Sequence, residues 1–168
     1  NNNELSIEHL INRVKKSALS NIIVLCTTEN AEDDFLCDLA KKNNIEFFRG
    51  SEKDKLERWN QACKKFNIDF FVTADGDDLF CEPKFIDNAF RQFDKDKMID
   101  FIHCPGIICG AFTYGINSRA LEKVCEIKDS DDTEMMWTYF LDTGLFYVRK
   151  LENIEKKYFR NDIRMTLD

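Results

Sequence analysis

"IEFFRGSEKDKLERWNQACKKFNIDFFVTADGDD", residues 45 to 78, is the stretch on which the fold turns. It opens with an apolar run ended by Gly50, continues with Leu56, Trp59, Cys63 and Phe66 at i, i+3, i+7 and i+10, and closes with a second apolar run, "IDFFVTA". The flanks predict strands and the middle an amphipathic helix, because one apolar stripe recurs at the helical period while the flanking runs are short and unbroken. Strand, helix, strand is a crossover unit, which sets two strands parallel in one sheet.

Working outward, "NIIVLCTT" (21–28) predicts a fully buried strand, and "AEDDFLCDLAKK" (31–42) a helix with Phe35, Leu36, Leu39 and Ala40 on its inner face. Strand starts at Ile22, Ile45 and Ile68 then fall 23 residues apart with a helix between each pair. The segments do not resemble one another, so the spacing is the rhythm of a mainly parallel α/β sheet and not a sequence repeat. Upstream, "SIEHLINRVKKSA" (6–18) predicts a helix with Ser6 as its N-cap. Downstream, Phe85, Ile86, Ala89, Phe90 and Phe93 mark a helix after Pro83, followed by a strand from Ile99 to Cys104. "GIICGAFTYGINSRALEKV" (106–124) reads as extended chain passing into a helix at Ser118. The acidic "DSDDTE" (129–134) reads as a solvated loop that caps the next helix, with a metal or substrate role as its alternative. "IRMTLD" closes the chain as a short strand tipped by Asp168.

At 168 residues the chain suits a single domain, 1–168. A formal charge of −7 disfavours nucleic acid as a partner, since a phosphate-backbone surface needs Lys and Arg in excess. No run approaches the roughly 18 apolar residues of a membrane span and no secretory leader is visible, which together predict a cytoplasmic protein. The seven cysteines show no C-x-x-C pairing and read as reduced core residues. Neither histidine, His9 or His103, has zinc-like spacing to them.

Asp75, Asp77 and Asp78 crowd behind the third strand. Ligands of parallel α/β sheets bind at the carboxyl ends of strands, and carboxylates there can hold Mg²⁺ against substrate phosphates. The alternative is a loop whose Asp side chains make Asx-turns around Gly76 or cap the helix at Pro83. Arg49, Gly50 and Ser51 end the second strand, where glycine permits close backbone approach and arginine can reach a phosphate or base. Arg58 follows on the next helix, with a surface pair to Asp54 at i, i+4 as its plainer reading.

"TTENAEDDFLCDLAKKNNIEFFRGSEKDKLERW" and "VTADGDDLFCEPKFIDNAF" resemble the cytidylyltransferases of the spore-coat polysaccharide biosynthesis type, which are similar to CMP-KDO and CMP-sialic acid synthetases. The similarity runs from about Leu5 to Phe90 and returns at "RMTLD", which matches the family's closing R-x-T-x-D. The resemblance implies a Rossmann-like, GT-A-like three-layer nucleotidyltransferase fold. It divides the domain into a nucleotide-binding half, about 1–104, and an acceptor-binding half, about 105–168. It also implies transfer of a cytidylyl group from CTP to a small anionic acceptor, with pyrophosphate released. The family's Gly-Asp falls on Gly76 and Asp77 and its last Asp on Asp168, so by resemblance Asp77 and Asp168 would be catalytic and hold Mg²⁺. Its Gly-Ser loop and Leu-x-Arg element fall on Gly50, Ser51, Leu56 and Arg58. With Arg49, Asp75 and Gly76 these would form the nucleotide site, although Asp75 matches no acidic family position.

The sequence departs from the family twice. Family members open with a strand and a phosphate-gripping loop of the form A-R-x-x-S-x-R-x-P-G-K, and this sequence starts at "NNNELSIEHL", just beyond it. The expectation is a chain incomplete at both ends, lacking a strand that is central in a doubly wound sheet. In the acceptor half, Gly110 to Tyr114 is apolar and aromatic where the family is acidic, which leaves room for a phosphonate or phosphorylated alcohol beside the usual sugar acids. Tyr114 and Arg119 are candidate acceptor contacts, with core packing and surface placement as alternatives, and the segment up to Thr143 is a candidate homodimer contact. Two rivals remain. Asp75-Gly76-Asp77 is a literal D-x-D, as in metal-dependent glycosyltransferases, and the same fold can also serve as a non-catalytic module.

Overall fold

The computed structural model describes residues 4–167. Helix α1 (Ser6–Val14) is followed by β1 (Val24–Thr28), α2 (Asp34–Lys42), β2 (Glu46–Gly50), α3 (Lys55–Phe66), β3 (Phe70–Val72), α4 (Pro83–Lys95) and β4 (Phe101–His103). The second half adds β5 (Gly115–Asn117), α5 (Ser118–Ile127), α6 (Trp137–Leu141) and β6 (Val148–Lys150). Ser6 is the first helical residue of α1 and not its cap; Leu5 takes that place, and the Glu8 carboxylate reaches back to accept from the Leu5 N–H at 3.3 Å. Asp54 caps α3 by accepting from the Glu57 N–H at 3.1 Å, and Asn67, at φ 53°, ends it in the left-handed conformation that asparagine tolerates.

The strands form two sheets, so β2 and β3, read from the sequence as parallel neighbours of one crossover unit, stand in different sheets. β1 and β2 pair in parallel, with Val24 opposite Glu46 through Thr28 opposite Gly50. The other four are ordered β3-β5-β4-β6. β6 runs parallel to β4, as the α/β reading expects, but β5 is antiparallel to both its neighbours, so this sheet is mixed. The cause is the connection: no helix intervenes between β4 and β5, and a chain that returns without a crossover helix comes back antiparallel.

Two apolar clusters sandwich the four-stranded sheet. Phe101 and Ile116 face α3, α5 and α6, where Leu56, Leu121, Val124 and Phe140 complete the packing. Phe70 and Ile102 face α4 through Phe85, Ala89 and Phe93. This alternation along short strands gives the three-layer architecture.

Between the sheets lies a gap. Among the described residues β1 bonds only to β2 and β3 only to β5, so two strand edges face each other across a cavity of about 1010 Å³. Val24, Leu25 and Cys26 line one wall, Phe70, Phe71 and Val72 the other, and Ile7, Leu10, Ile11 and Val14 of α1 also contribute. β1 is therefore largely half-buried, not fully buried as its composition predicts. Helix α3 spans the gap, packing on β2 and on α5.

The expected terminal strand reduces to one bridge, Cys109 opposite Arg164, with Cys109 N–H donating to Ile163 at 3.1 Å and Met165 N–H returning to Cys109 at 2.9 Å. Gly110, at φ +88°, is required beside it, since a Cβ would stand 2.8 Å from the Met165 carbonyl oxygen. Asp168 lies outside the described residues. All seven cysteines are free thiols.

Candidate active site

The cavity is lined by the end of β3 and the loop after it, Asp75 to Asp77, and by Lys55, Arg58 and Trp59 of α3, while no residue of β2 lines it. Gly50 ends β2 where a Cβ would come within 3.2 Å of Arg58 Cγ, so its absence lets the Arg58 stem lie against the strand. The Arg58 guanidinium donates through Nη1 to the carbonyl oxygens of Ser51 and of Glu52, the latter at 3.3 Å, while Nε is buried without a hydrogen-bond partner. Its surface pair with Asp54 does not form. Asp54 is occupied: besides the Glu57 N–H it accepts from Thr133 Oγ1 at 3.2 Å and pairs with Lys128 Nζ at 2.7 Å. Arg58 lines the cavity instead.

The acidic loop is thus put to a different use from the one its composition suggests. Thr133, 1% exposed, also accepts from the Leu56 N–H at 3.1 Å, so the loop caps α3 and not the helix that follows it. Lys128 bridges Asp54 and Asp131, and the hydrogen bonds to these two carboxylates raise its pKa above the ordinary lysine value.

Of the three carboxylates behind β3, two line the cavity, Asp75 and Asp77, with Gly76 between them. Asp75 Oδ1 lies 3.0 Å from Lys55 Nζ. The Asp77 carbonyl accepts from the Leu167 N–H at 3.0 Å, which holds the last described residue against this loop. Gly76 faces open space, since a Cβ there would meet nothing within 4 Å. Asp78 is turned away and buried, accepting from the Asp75 N–H at 3.3 Å and from Thr113 Oγ1 at 2.6 Å. Burial pushes its carboxyl above the usual carboxylate range, opposed in part by the Thr113 bond. The turn-forming role expected for this cluster thus falls on Asp78, and Asp75 and Asp77 are the two carboxylates at the cavity.

Several expected members stand elsewhere. Arg49 binds the turn after β1, with Nη1 on Asp34 at 2.5 Å, Nε on the Thr28 carbonyl at 2.8 Å and Nη2 on the Asn30 carbonyl at 2.7 Å, and it does not line the cavity. Ser51 Oγ accepts from the Asp54 N–H at 3.1 Å, a turn-forming role. Tyr114 stacks on Phe101 at 5.0 Å within the core, where burial raises its pKa to about 12. Arg119 donates to the Lys97 carbonyl at 3.2 Å on the outer face of α5. Neither Tyr114 nor Arg119 reaches the cavity. Lys55 does, with Trp59 and Glu134, and sequence reasoning missed it as a site residue. Its signal was its place, directly after the Gly50 turn at the first position of a helix that starts beside a strand end.

Asp75 and Asp77 are hard oxygen donors at the cavity, and one oxygen of Asp75 is paired with the Lys55 ammonium. They suit Mg²⁺, which needs only one or two protein carboxylates and leaves its other positions to water and phosphate. Among the described residues no third acidic, His or Cys ligand converges on them.

Comparison with known proteins gives the family and the fold. The cytidylyltransferase family model matches residues 3–163. An uncharacterized protein of Methanocaldococcus jannaschii is 32% identical over 165 residues, covering 96% of this chain and 67% of the relative. The spore coat polysaccharide biosynthesis protein SpsF of Bacillus subtilis is 24% identical over 170 residues, covering 96% and 70%. Among solved structures, a cytidylyltransferase from Leptospira borgpetersenii superposes with a TM-score of 0.88 at 24% identity, covering 99% of this chain and 71% of that one. A CMP:2-keto-3-deoxy-manno-octonic acid synthetase complexed with CTP superposes at 0.66 and 10% identity, covering 86% and 77%. The described chain has no helix long and apolar enough to cross a membrane. With nearly its whole length matched by the family model, the chain belongs to the cytidylyltransferase family of nucleotidyltransferases.

Proposed function

We propose that the protein transfers a cytidylyl group from CTP to a small anionic acceptor, a sugar acid or a phosphorylated compound, in a Mg²⁺-dependent reaction of polysaccharide biosynthesis in the cytoplasm. The observation that carries this is the cavity, which is lined by two carboxylates at the carboxyl end of β3 and by an arginine of α3 with an unpartnered buried Nε. An acceptor oxygen attacks the α-phosphorus in line; the new P–O bond forms as the bridging P–O bond to pyrophosphate breaks. Arg58 donates to phosphate oxygens and holds the chain of phosphates in that line. Asp75 and Asp77 would hold Mg²⁺, with Asp168 as a third ligand, and the metal when bound would neutralise charge on the leaving pyrophosphate.

The gap between β1 and β3 supports a second part of the proposal. Two free strand edges and a cavity walled by apolar side chains fit an additional strand, pairing with β1 on one side and β3 on the other. We place there the strand and basic loop that the family carries ahead of α1. The intact mass of the protein purified from its source tests this: a mass several kilodaltons above 19.8 kDa is expected, and a match to that value would remove the added strand.

Pyrophosphate release from CTP, UTP, ATP and GTP with a panel of acceptors tests the activity. Release with CTP alone is expected, along with a loss of about 100-fold or more in Asp77→Asn and roughly tenfold weaker CTP binding in Arg58→Ala. Transfer of sugar from a UDP-sugar, without CTP turnover, would instead establish the glycosyltransferase alternative.

A further inference from the structure

We infer that Lys55 is a phosphate-binding residue of this site, held by Asp75 in the free protein and handed to the polyphosphate when substrate enters; the inference rests on the cytidylyl-transfer proposal. A lysine at the first position of a helix ordinarily runs its stem to the surface and its ammonium into water. Lys55 does the reverse. Its side chain is 17% exposed, its ammonium lies 5.3 Å from the Trp59 ring centroid, and it reaches from α3 to Asp75, beyond the end of β3 at the cavity mouth.

The backbone end of α3 cannot itself serve as the anion site. The Leu56 N–H is capped by Thr133 Oγ1 and the Glu57 N–H by Asp54, so the donors left for a phosphate at this helix end are side chains. Lys55 and Arg58, at i and i+3, are neighbours on one helix face, and both line the cavity. An ammonium has three N–H donors, and a single contact at 3.0 Å to one carboxylate oxygen leaves capacity for phosphate oxygens. A polyphosphate approaching Asp75 and Asp77 meets like charge, and Lys55 is a cation already placed against Asp75.

Calorimetric titration of the full-length protein in EDTA, with CTP, cytidine and inorganic tripolyphosphate, tests this without turnover. Lys55→Met should bind CTP and tripolyphosphate about tenfold more weakly than wild type while cytidine affinity is unchanged, and Lys55→Arg should restore binding to within about threefold. Asp75→Asn, which frees Lys55, should bind metal-free tripolyphosphate about threefold more tightly. A Lys55→Met protein that melts as wild type yet binds tripolyphosphate unchanged would overturn the inference. So would weakening in Asp75→Asn equal to that in Lys55→Met, because the pair would then be a structural brace. Lys55-dependent tripolyphosphate binding with no preference for CTP would leave Lys55 in place and overturn the cytidylyl proposal instead.

Discussion

β1 and β4 are both built from apolar runs, and the molecule treats them in opposite ways. In the four-stranded sheet, Phe101, Ile102 and Ile116 are 0% exposed, because helices cover both faces and β4 and β5 have a bonded neighbour on each side. In the two-stranded sheet, one position of β1, Thr27, is fully buried, and the apolar Val24, Leu25 and Cys26 remain half-exposed along the gap. Composition sets how apolar a strand is; burial depends on whether its second edge is covered. The site sits where the two regimes meet. Asp75 and Asp77 line the cavity at the β3 side of that break.

Core truncation is the sharpest way to break that comparison. Phe101→Ala, which removes stacking on Phe140 at 4.6 Å and on Tyr114, should cost about 4 kcal/mol by urea unfolding, while Leu25→Ala in the 168-residue chain should cost about 1 kcal/mol because its side chain there borders the gap. In a protein that carries the proposed strand, the Leu25→Ala loss should rise toward that of Phe101→Ala. Next in size is the tie between α3 and the acidic loop. Lys128→Met leaves Asp54 buried without its cation and should cost about 3 kcal/mol, and it should speed amide exchange in residues 129–136. The raised Lys128 pKa means that this pair stabilises the fold fully below the ordinary lysine pKa, and its contribution is lost only as pH rises through the higher folded value.

Smallest is the effect at Asp78. Its carboxyl is raised by burial, so the folded state binds the proton more readily than the unfolded chain, and this group makes stability rise as pH falls through the folded pKa. Asp78→Asn keeps an acceptor for the Asp75 N–H and Thr113 Oγ1 and should change stability at pH 7 by no more than about 0.5 kcal/mol while flattening that acid-side rise. A loss of CTP binding in this variant would contradict its placement off the cavity.

Much of the architecture was legible because it rests on local periodicity. The helical stripe through Leu56, Trp59 and Cys63, and the apolar runs on either side of it, appear as α3 between β2 and β3. The resemblance carried the family, which the match over residues 3–163 shows. What periodicity could not supply was direction and partner. β5 was readable as extended chain, but its antiparallel place between β3 and β4 follows from the connection around it. Arg58 had Asp54 at salt-bridge spacing, and lost it to Thr133 and Lys128, roughly 75 residues away in the chain.

The site divides along the same line. By itself the sequence determined that carboxylates follow the third strand and that a Gly-Ser turn leads into an Arg-bearing helix, since these are facts of neighbouring residues. Tertiary structure alone decided that Asp75 and Asp77 face the cavity while Asp78 turns inward, that Arg49 is spent on the turn after β1, and that Lys55 reaches across to Asp75. The physical reason is that a charged side chain takes the nearest partner that offsets its desolvation, and that partner is set by which elements pack together, not by spacing along the chain.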